Sequence, residues 1–288
     1  MTRHFSTIRL FSLVPALGGM LLGGELLAAS LTGYTTRSAD VLTPDVSVMV
    51  SGREVNGLEL AEAYRPIIRI NPAYVPPFAK VLWYEVVDQE DSVTLVYYLD
   101  WENEIYPQPL LHFLYEIYRR AVYGSVHDIE YIEITVGKLD GVVTRIRFET
   151  TYNGNAANHN FPEHLRVFGE LNNTRTGYQI TVVDQSGNIA RTDTVSGIWG
   201  SDNRPVLGVM TWNHLYTLLD DSYNVYSQII DVPLQYLTDD VYRAYKFARR
   251  SHGDIATMEN ETPRNILRIL FWGSSILIGY YCWIRRIG

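Results

Sequence analysis

The sequence predicts a mainly β, β-sandwich-like domain with peripheral helices, followed by a C-terminal transmembrane helix. Three observations carry this. Short runs rich in Val, Ile, Tyr and Thr recur between turn-forming clusters. Several of these runs are joined by brief charged or Gly-bounded turns, as in hairpins. Only two central segments space their apolar residues as helices do.

In chain order, Lys80–Asp88 and Ser92–Leu99 flank the charged turn Asp88–Asp91 and read as the first hairpin. Pro109 then opens Leu110–Tyr123, where Leu111, Leu114, Tyr115 and Tyr118 recur at helical spacing before Gly124. Asp128–Val136 and Val142–Thr150, joined by Gly137–Gly141, form the second hairpin. Pairing Val136 with Val142 sets Glu133 opposite Arg145 and Tyr131 opposite Arg147, a charged face. Ile132, Ile134, Val136, Ile146 and Phe148 make the apolar face, and period-two alternation places Asp128 and Glu130 on it as well. Burying two carboxylates demands compensation by a cation, by Arg65 or Arg69, or by water. Gly177–Val183 and Asn188–Val195 read as a third hairpin, Pro205–Trp212 as a short strand, and Val232–Arg250 as a surface helix.

The ends differ from this middle. Arg3, His4 and Arg9 precede an apolar run from Leu10 to Leu27 and the small residues Ala28, Ala29 and Ser30, the parts of a signal peptide or, if uncleaved, an N-terminal anchor. Ile269–Ile284 is 16 residues without a charge, edged by Phe271 and Trp272 on one side and by Tyr280, Tyr281 and Trp283 on the other. It reads as a membrane span with aromatic belts, a buried core helix being the alternative. Arg285 and Arg286 favour a cytoplasmic C-terminus, whereas Arg249, Arg250, Arg264 and Arg268 argue the reverse, so the signal peptide decides the orientation. The expected organisation is 1–30 signal peptide, 31–45 linker, 46–250 β-rich extracytoplasmic domain, 251–265 spacer and 266–286 transmembrane helix.

Composition narrows the function classes. With 47% hydrophobic and 19% charged residues the chain is not disordered, and its single Cys excludes a disulfide framework or a Cys-ligated zinc. The net charge of −8 disfavours nucleic acid. Arg3 and Arg9 against Glu25 give the first thirty residues +1, and Arg268, Arg285 and Arg286 give residues 265–288 +3, which leaves −12 for residues 31–264. No phosphate-binding loop, dinucleotide fingerprint, HExxH or GxSxG occurs.

What remains is a set of acids and imidazoles. Asp128, Glu130 and His127 form the leading candidate for a metal site, with His214, His159 and Asp100 as further ligands. Oxygen donors with one or two imidazoles suit Ca²⁺, Mg²⁺ or Mn²⁺, and more imidazole would admit Zn²⁺. The plainer readings are a solvated strand end for Asp100, Glu102 and Glu104, a surface His127, a polar loop for His159 and His164, and a capping or packing role for His214.

Gly124-Ser-Val-His-Asp-Ile-Glu130 resembles the Gly-His-Arg-His-Asp-Trp-Glu heptapeptide of the necrosis-inducing, Nep1-like proteins, and is similar to the Gly-Asp-Trp-Glu strand of Vps62-type domains. Tyr64-Arg-Pro-Ile-Ile-Arg-Ile70, Val96–Asn103 and Arg204–His214 follow the order of features in the latter. The resemblance covers about residues 64–216. For the necrosis-inducing family it implies a β-sandwich whose heptapeptide acids hold a divalent cation near a membrane glycolipid site. By match, His127, Asp128 and Glu130 carry over.

The combined expectation is a membrane-anchored extracytoplasmic binding domain, whose divalent cation engages a glycan or lipid headgroup against Tyr- and Trp-rich walls. The alternatives are a metal-dependent hydrolase in which His127 or His214 moves protons, and a structural subunit with membrane-protein partners.

Overall fold

The computed structural model describes residues 41–71, 78–123, 127–151, 164–172, 177–184, 186–195, 204–219, 225–238, 240–241, 250–251 and 254–255. The amino-terminal segment, His159 and the carboxy-terminal apolar segment lie outside them. Among the described residues no helix is long and apolar enough to cross a membrane.

The protein is mainly β. In chain order the strands are β1 (Val41–Leu42), β2 (Ser47–Val50), β3 (Arg53–Asn56), β4 (Ile67–Ile70), β5 (Ala79–Asp88), β6 (Ser92–Trp101), β7 (Asp128–Gly137), β8 (Val143–Thr150), β9 (Leu165–Leu171), β10 (Tyr178–Val183), β11 (Ile189–Val195), β12 (Val206–Val209), β13 (Tyr216–Leu218), β14 (Gln228–Ile229), β15 (Leu234–Tyr236), β16 (Arg250–Ser251) and β17 (Asp254–Ile255). Helix α1 (Gly57–Ala63) follows β3, and α2 (Pro109–Tyr123) crosses between β6 and β7. Asn56 caps α1 reciprocally, its side chain accepting from the Glu59 amide while Glu59 accepts from the Asn56 amide.

Strands β5 to β11 form an antiparallel meander, and two short strands share its outer edge: β15 runs parallel to Leu82–Tyr84 and β1 antiparallel to Val86–Val87. Val41 and Leu42, placed by the sequence in a linker, therefore already belong to the sheet. A second sheet runs β13-β12-β4-β14, with β12 and β4 parallel. Ile68, Ile70, Leu207, Val209 and Tyr216 from this sheet and Leu82, Leu95, Leu99, Ile132, Ile134 and Phe148 from the larger one share one hydrophobic core. The opposite face of the large sheet holds a smaller cluster, Val81, Trp83, Val96, Tyr98 and Tyr131, under Leu237.

Two expectations are corrected. Val136 pairs with Val143 rather than Val142, and Glu133 lies opposite Arg147 and Thr135 opposite Arg145, because the ladder shifts between Thr135 and Val136. The five-residue turn explains the offset: Gly141, at φ 69°, donates to the Gly137 carbonyl and consumes residues that a tight turn would leave in the strands. Two residues of slip preserve parity, so the charged and apolar faces survive. The predicted helix over Val232–Arg250 begins instead as β15, since the open edge of β5 offers hydrogen bonds that Leu82 and Tyr84 complete with Pro233 and Leu237.

Candidate functional site

Asp128, Glu130 and Trp101 converge at one end of the large sheet, where β6 finishes and β7 begins. The register sets Trp101 beside Asp128 and Leu99 beside Glu130, so both carboxylates stand on the core face, as alternation predicts. Both are buried. Asp128 is compensated by two groups distant in sequence. Its Oδ2 accepts from Nδ1 of His214 at 2.8 Å, and its Oδ1 lies 3.5 Å from Nη2 of Arg119. Arg119 projects from α2, and Nη1 also meets Glu104 at 2.5 Å, while Nη2 donates to the His127 carbonyl at 2.6 Å. Tyr115, one turn before Arg119, donates to Glu104. The partner expected from Arg65 or Arg69 is thus Arg119; Arg65 instead binds the Val232 carbonyl.

Two carboxylates around one guanidinium set the electrostatics. Burial, with Asp128 nearby, pushes Glu104 up to about 7 despite the Arg119 charge. The same burial pushes His214 down to about 3, so its imidazole is neutral throughout the physiological range. His214 is fully buried, lies at φ 63° in the left-handed region, and stacks flat on Trp101. Among the described residues its Nε2 has no hydrogen-bond partner. A ring so enclosed cannot exchange protons with a substrate in solvent.

The remaining predicted residues separate from this network. His127 turns to Asp100, Nδ1 lying 2.9 Å from Oδ1. Asp100 and Glu104 are buried rather than solvated, and burial raises the Asp100 carboxyl against the pull of its His127 hydrogen bond. Glu130 instead joins Glu149 and His164, each offering a ligand atom within 4.8 Å of the others. Glu149 is the penultimate residue of β8, and His164 precedes β9, where its Nδ1 lies 2.7 Å from Oε2 of Glu149. The Asn213 amide donates to His164 Nε2 at 3.1 Å. Next along the chain, Trp212 is met edge-on by Tyr106 at 5.0 Å and Tyr115 at 5.6 Å. Cluster and aromatic group are therefore joined through the turn Thr211–His214, whose Thr211 hydroxyl accepts from the Leu215 amide.

Sequence reasoning missed Glu104, Arg119 and Tyr115 as a unit, and Glu149 with His164. The acid at Glu104 and the basic residue at Arg119 carry no local pattern that joins them. The pairing of β8 with β9, which sets Glu149 beside Arg166 and Thr150 beside Leu165, was the one signal able to bring His164 to Glu149.

No protein-family model and no curated protein matches this chain. Two solved structures of a Nep1-like protein are similar to it, described as NLPPya in complex with glucosamine and NLPPya in complex with mannosamine. Each is 8% identical at a TM-score of 0.36. The first match covers 72% of this chain and 87% of the other, the second 78% and 96%.

Proposed function

We propose that this protein is a binding domain in which a divalent cation, held by Glu130, Glu149 and His164, engages hydroxyl or phosphate oxygens of a glycan or lipid headgroup. The observation that carries the reading is the convergence of two buried carboxylates and one half-exposed imidazole within 4.8 Å. Two carboxylates cancel the charge of Ca²⁺ or Mg²⁺, and three protein ligands leave coordination positions for water and ligand oxygens. Trp212, partly exposed and backed edge-on by Tyr106 and Tyr115, stands beside it as an aromatic ring against which a sugar can pack. The basic, apolar and small-residue order of residues 1–30 and the uncharged Ile269–Ile284 support export and tethering at a membrane.

Binding is favoured over hydrolysis because, of the two imidazoles that could move protons, His214 is fully buried and His127 is turned to Asp100 at 2.9 Å. The test is calorimetry of the full-length chain with Ca²⁺, Mg²⁺, Mn²⁺ and Zn²⁺, followed by retention on immobilised glycans and headgroup-bearing vesicles with and without chelator. Cation uptake with chelator-sensitive retention and no turnover is expected. Absence of any cation heat at millimolar concentration overturns the reading.

A further inference from the structure

We propose that the face of the large sheet opposite the shared core carries a second, independent site, for a small zwitterion bearing one carboxylate and one ammonium group, of the kind a free α-amino acid presents. A cavity of about 110 Å³ opens there between Gln89, Thr94, Glu133, Thr135, Arg145 and Arg147. Two rungs on the same face of the sheet build it. Thr94, Thr135 and Arg145 lie in register across β6, β7 and β8, and Glu133 and Arg147 are paired two residues along. With about 10–15 Å³ per water-sized probe, the space takes on the order of ten such groups, the scale of a small amino acid rather than of a nucleotide.

The charges select the ligand. Glu133 is 3% exposed, and its carboxylate lies 3.6 Å from Nη1 of Arg147, whose guanidinium is held over the Phe168 ring at 5.1 Å. Arg145 differs: it is paired only at 3.5 Å with Glu170, and both side chains are well exposed. Such a surface pair contributes little and exchanges readily for another carboxylate. A lone cation is repelled by two guanidiniums, and a lone anion gains them but still faces the buried Glu133 and leaves it no new partner. A zwitterion avoids both by giving its carboxylate to Arg145 and its ammonium to Glu133. The Thr94 and Thr135 hydroxyls, 3.1 Å apart, form the polar floor.

The site stands apart from the cation cluster in both residues and face, so the two readings fail separately. Titration of L-alanine and L-serine into the full-length chain, by calorimetry and ligand-observed NMR in the presence of chelator, tests it. Saturable binding is expected, with acetate and methylamine at least about tenfold weaker, and Arg145→Gln weakening the amino acid about tenfold. Glu133→Gln should have a similar effect, with thermal melting to confirm that it is folded. Arg145 is exposed, so its substitution reads the site without risk to the core. No saturable binding at millimolar amino acid, acetate binding as tightly as the zwitterion, or an unchanged affinity in Arg145→Gln overturns the proposal.

Discussion

Trp101 lies flat against the imidazole of His214, with ring centroids 4.0 Å apart and planes 4° from parallel. Both are fully buried, and the imidazole is fixed at its edge by a 2.8 Å hydrogen bond from Nδ1 to the Asp128 carboxylate. His214→Ala should therefore lose a stacked ring and leave the Asp128 carboxylate short of one donor, the lost hydrogen bond alone costing about 1–3 kcal/mol. His214→Asn should cost less, because Asn tolerates the left-handed backbone at φ 63° and retains a short donor. Urea denaturation of both variants measures the difference, and equal losses would count against the role given to the backbone.

Glu104 and His214 make opposite contributions to stability as pH changes. Glu104 is raised from 4.5 to about 7, so the unfolded chain releases this proton first and stability falls as pH rises through that window. His214 is lowered from 6.5 to about 3, so its contribution is present above 6.5 and is lost as pH falls toward 3. Between 4.5 and 6.5 the two slopes, each at most about 1.4 kcal/mol per pH unit, nearly cancel. His214→Asn should unmask the decline in stability due to Glu104 from pH 4.5 to 7, and Glu104→Gln should leave the rise due to His214 as the larger slope up to pH 6.5, offset in part by the raised Asp100. Chemical denaturation at pH steps across this range reads both.

Period-two alternation on β7 was enough to bury Asp128 and Glu130, since a strand between two others has nowhere else to put its even-numbered side chains. Their partners were not legible. Arg119 reaches Asp128 only because α2 folds back over the strand end, and His164 reaches Glu149 only because β9 pairs with β8. Neither contact leaves a local pattern. The misreading at Val232–Arg250 has a different origin, because β15 is three residues long and borrows its conformation from the edge of β5. The three hairpins that carry most of the meander were readable, being set by neighbours in sequence, whereas α1 went unread although its cap is equally local.

Gly169 sits where three strands crowd. A Cβ there would come within 2.7 Å of Ile146 Cγ2 and 2.8 Å of Ile180 Cδ1, both core side chains on the same rung. Gly169→Ala should cost about 1–3 kcal/mol through overpacking, and Gly169→Val more. Gly187→Ala offers a contrast: no atom lies within 4 Å of its Cβ position, and its cost arises only from φ 86°. Thermal melts of the two alanine variants separate crowding from backbone strain.

The cation reading makes its sharpest prediction among residues that lie close together in the sequence. His127 is occupied with Asp100, and Asp128 with His214 and Arg119, whereas Glu130, Glu149 and His164 face one another, and His164 takes a cation by releasing its bond to Glu149 or to Asn213. Glu149→Gln and His164→Gln should each weaken cation binding by at least about 10–100-fold, the range that loss of an outer partner of a ligand already produces. His127→Gln should leave cation affinity unchanged, although it strands the buried Asp100 carboxylate and lowers stability. Asp128→Asn should likewise lower stability, since Arg119 then keeps only Glu104 as a charged partner, while cation stoichiometry holds. Calorimetric titration of the four variants, each with a denaturation curve, distinguishes loss of a ligand from loss of the fold. If His127→Gln abolishes cation binding and Glu149→Gln does not, the cation belongs to the heptapeptide set of His127, Asp128 and Glu130, and the cluster at the ends of β8 and β9 is an ordinary ion-paired edge.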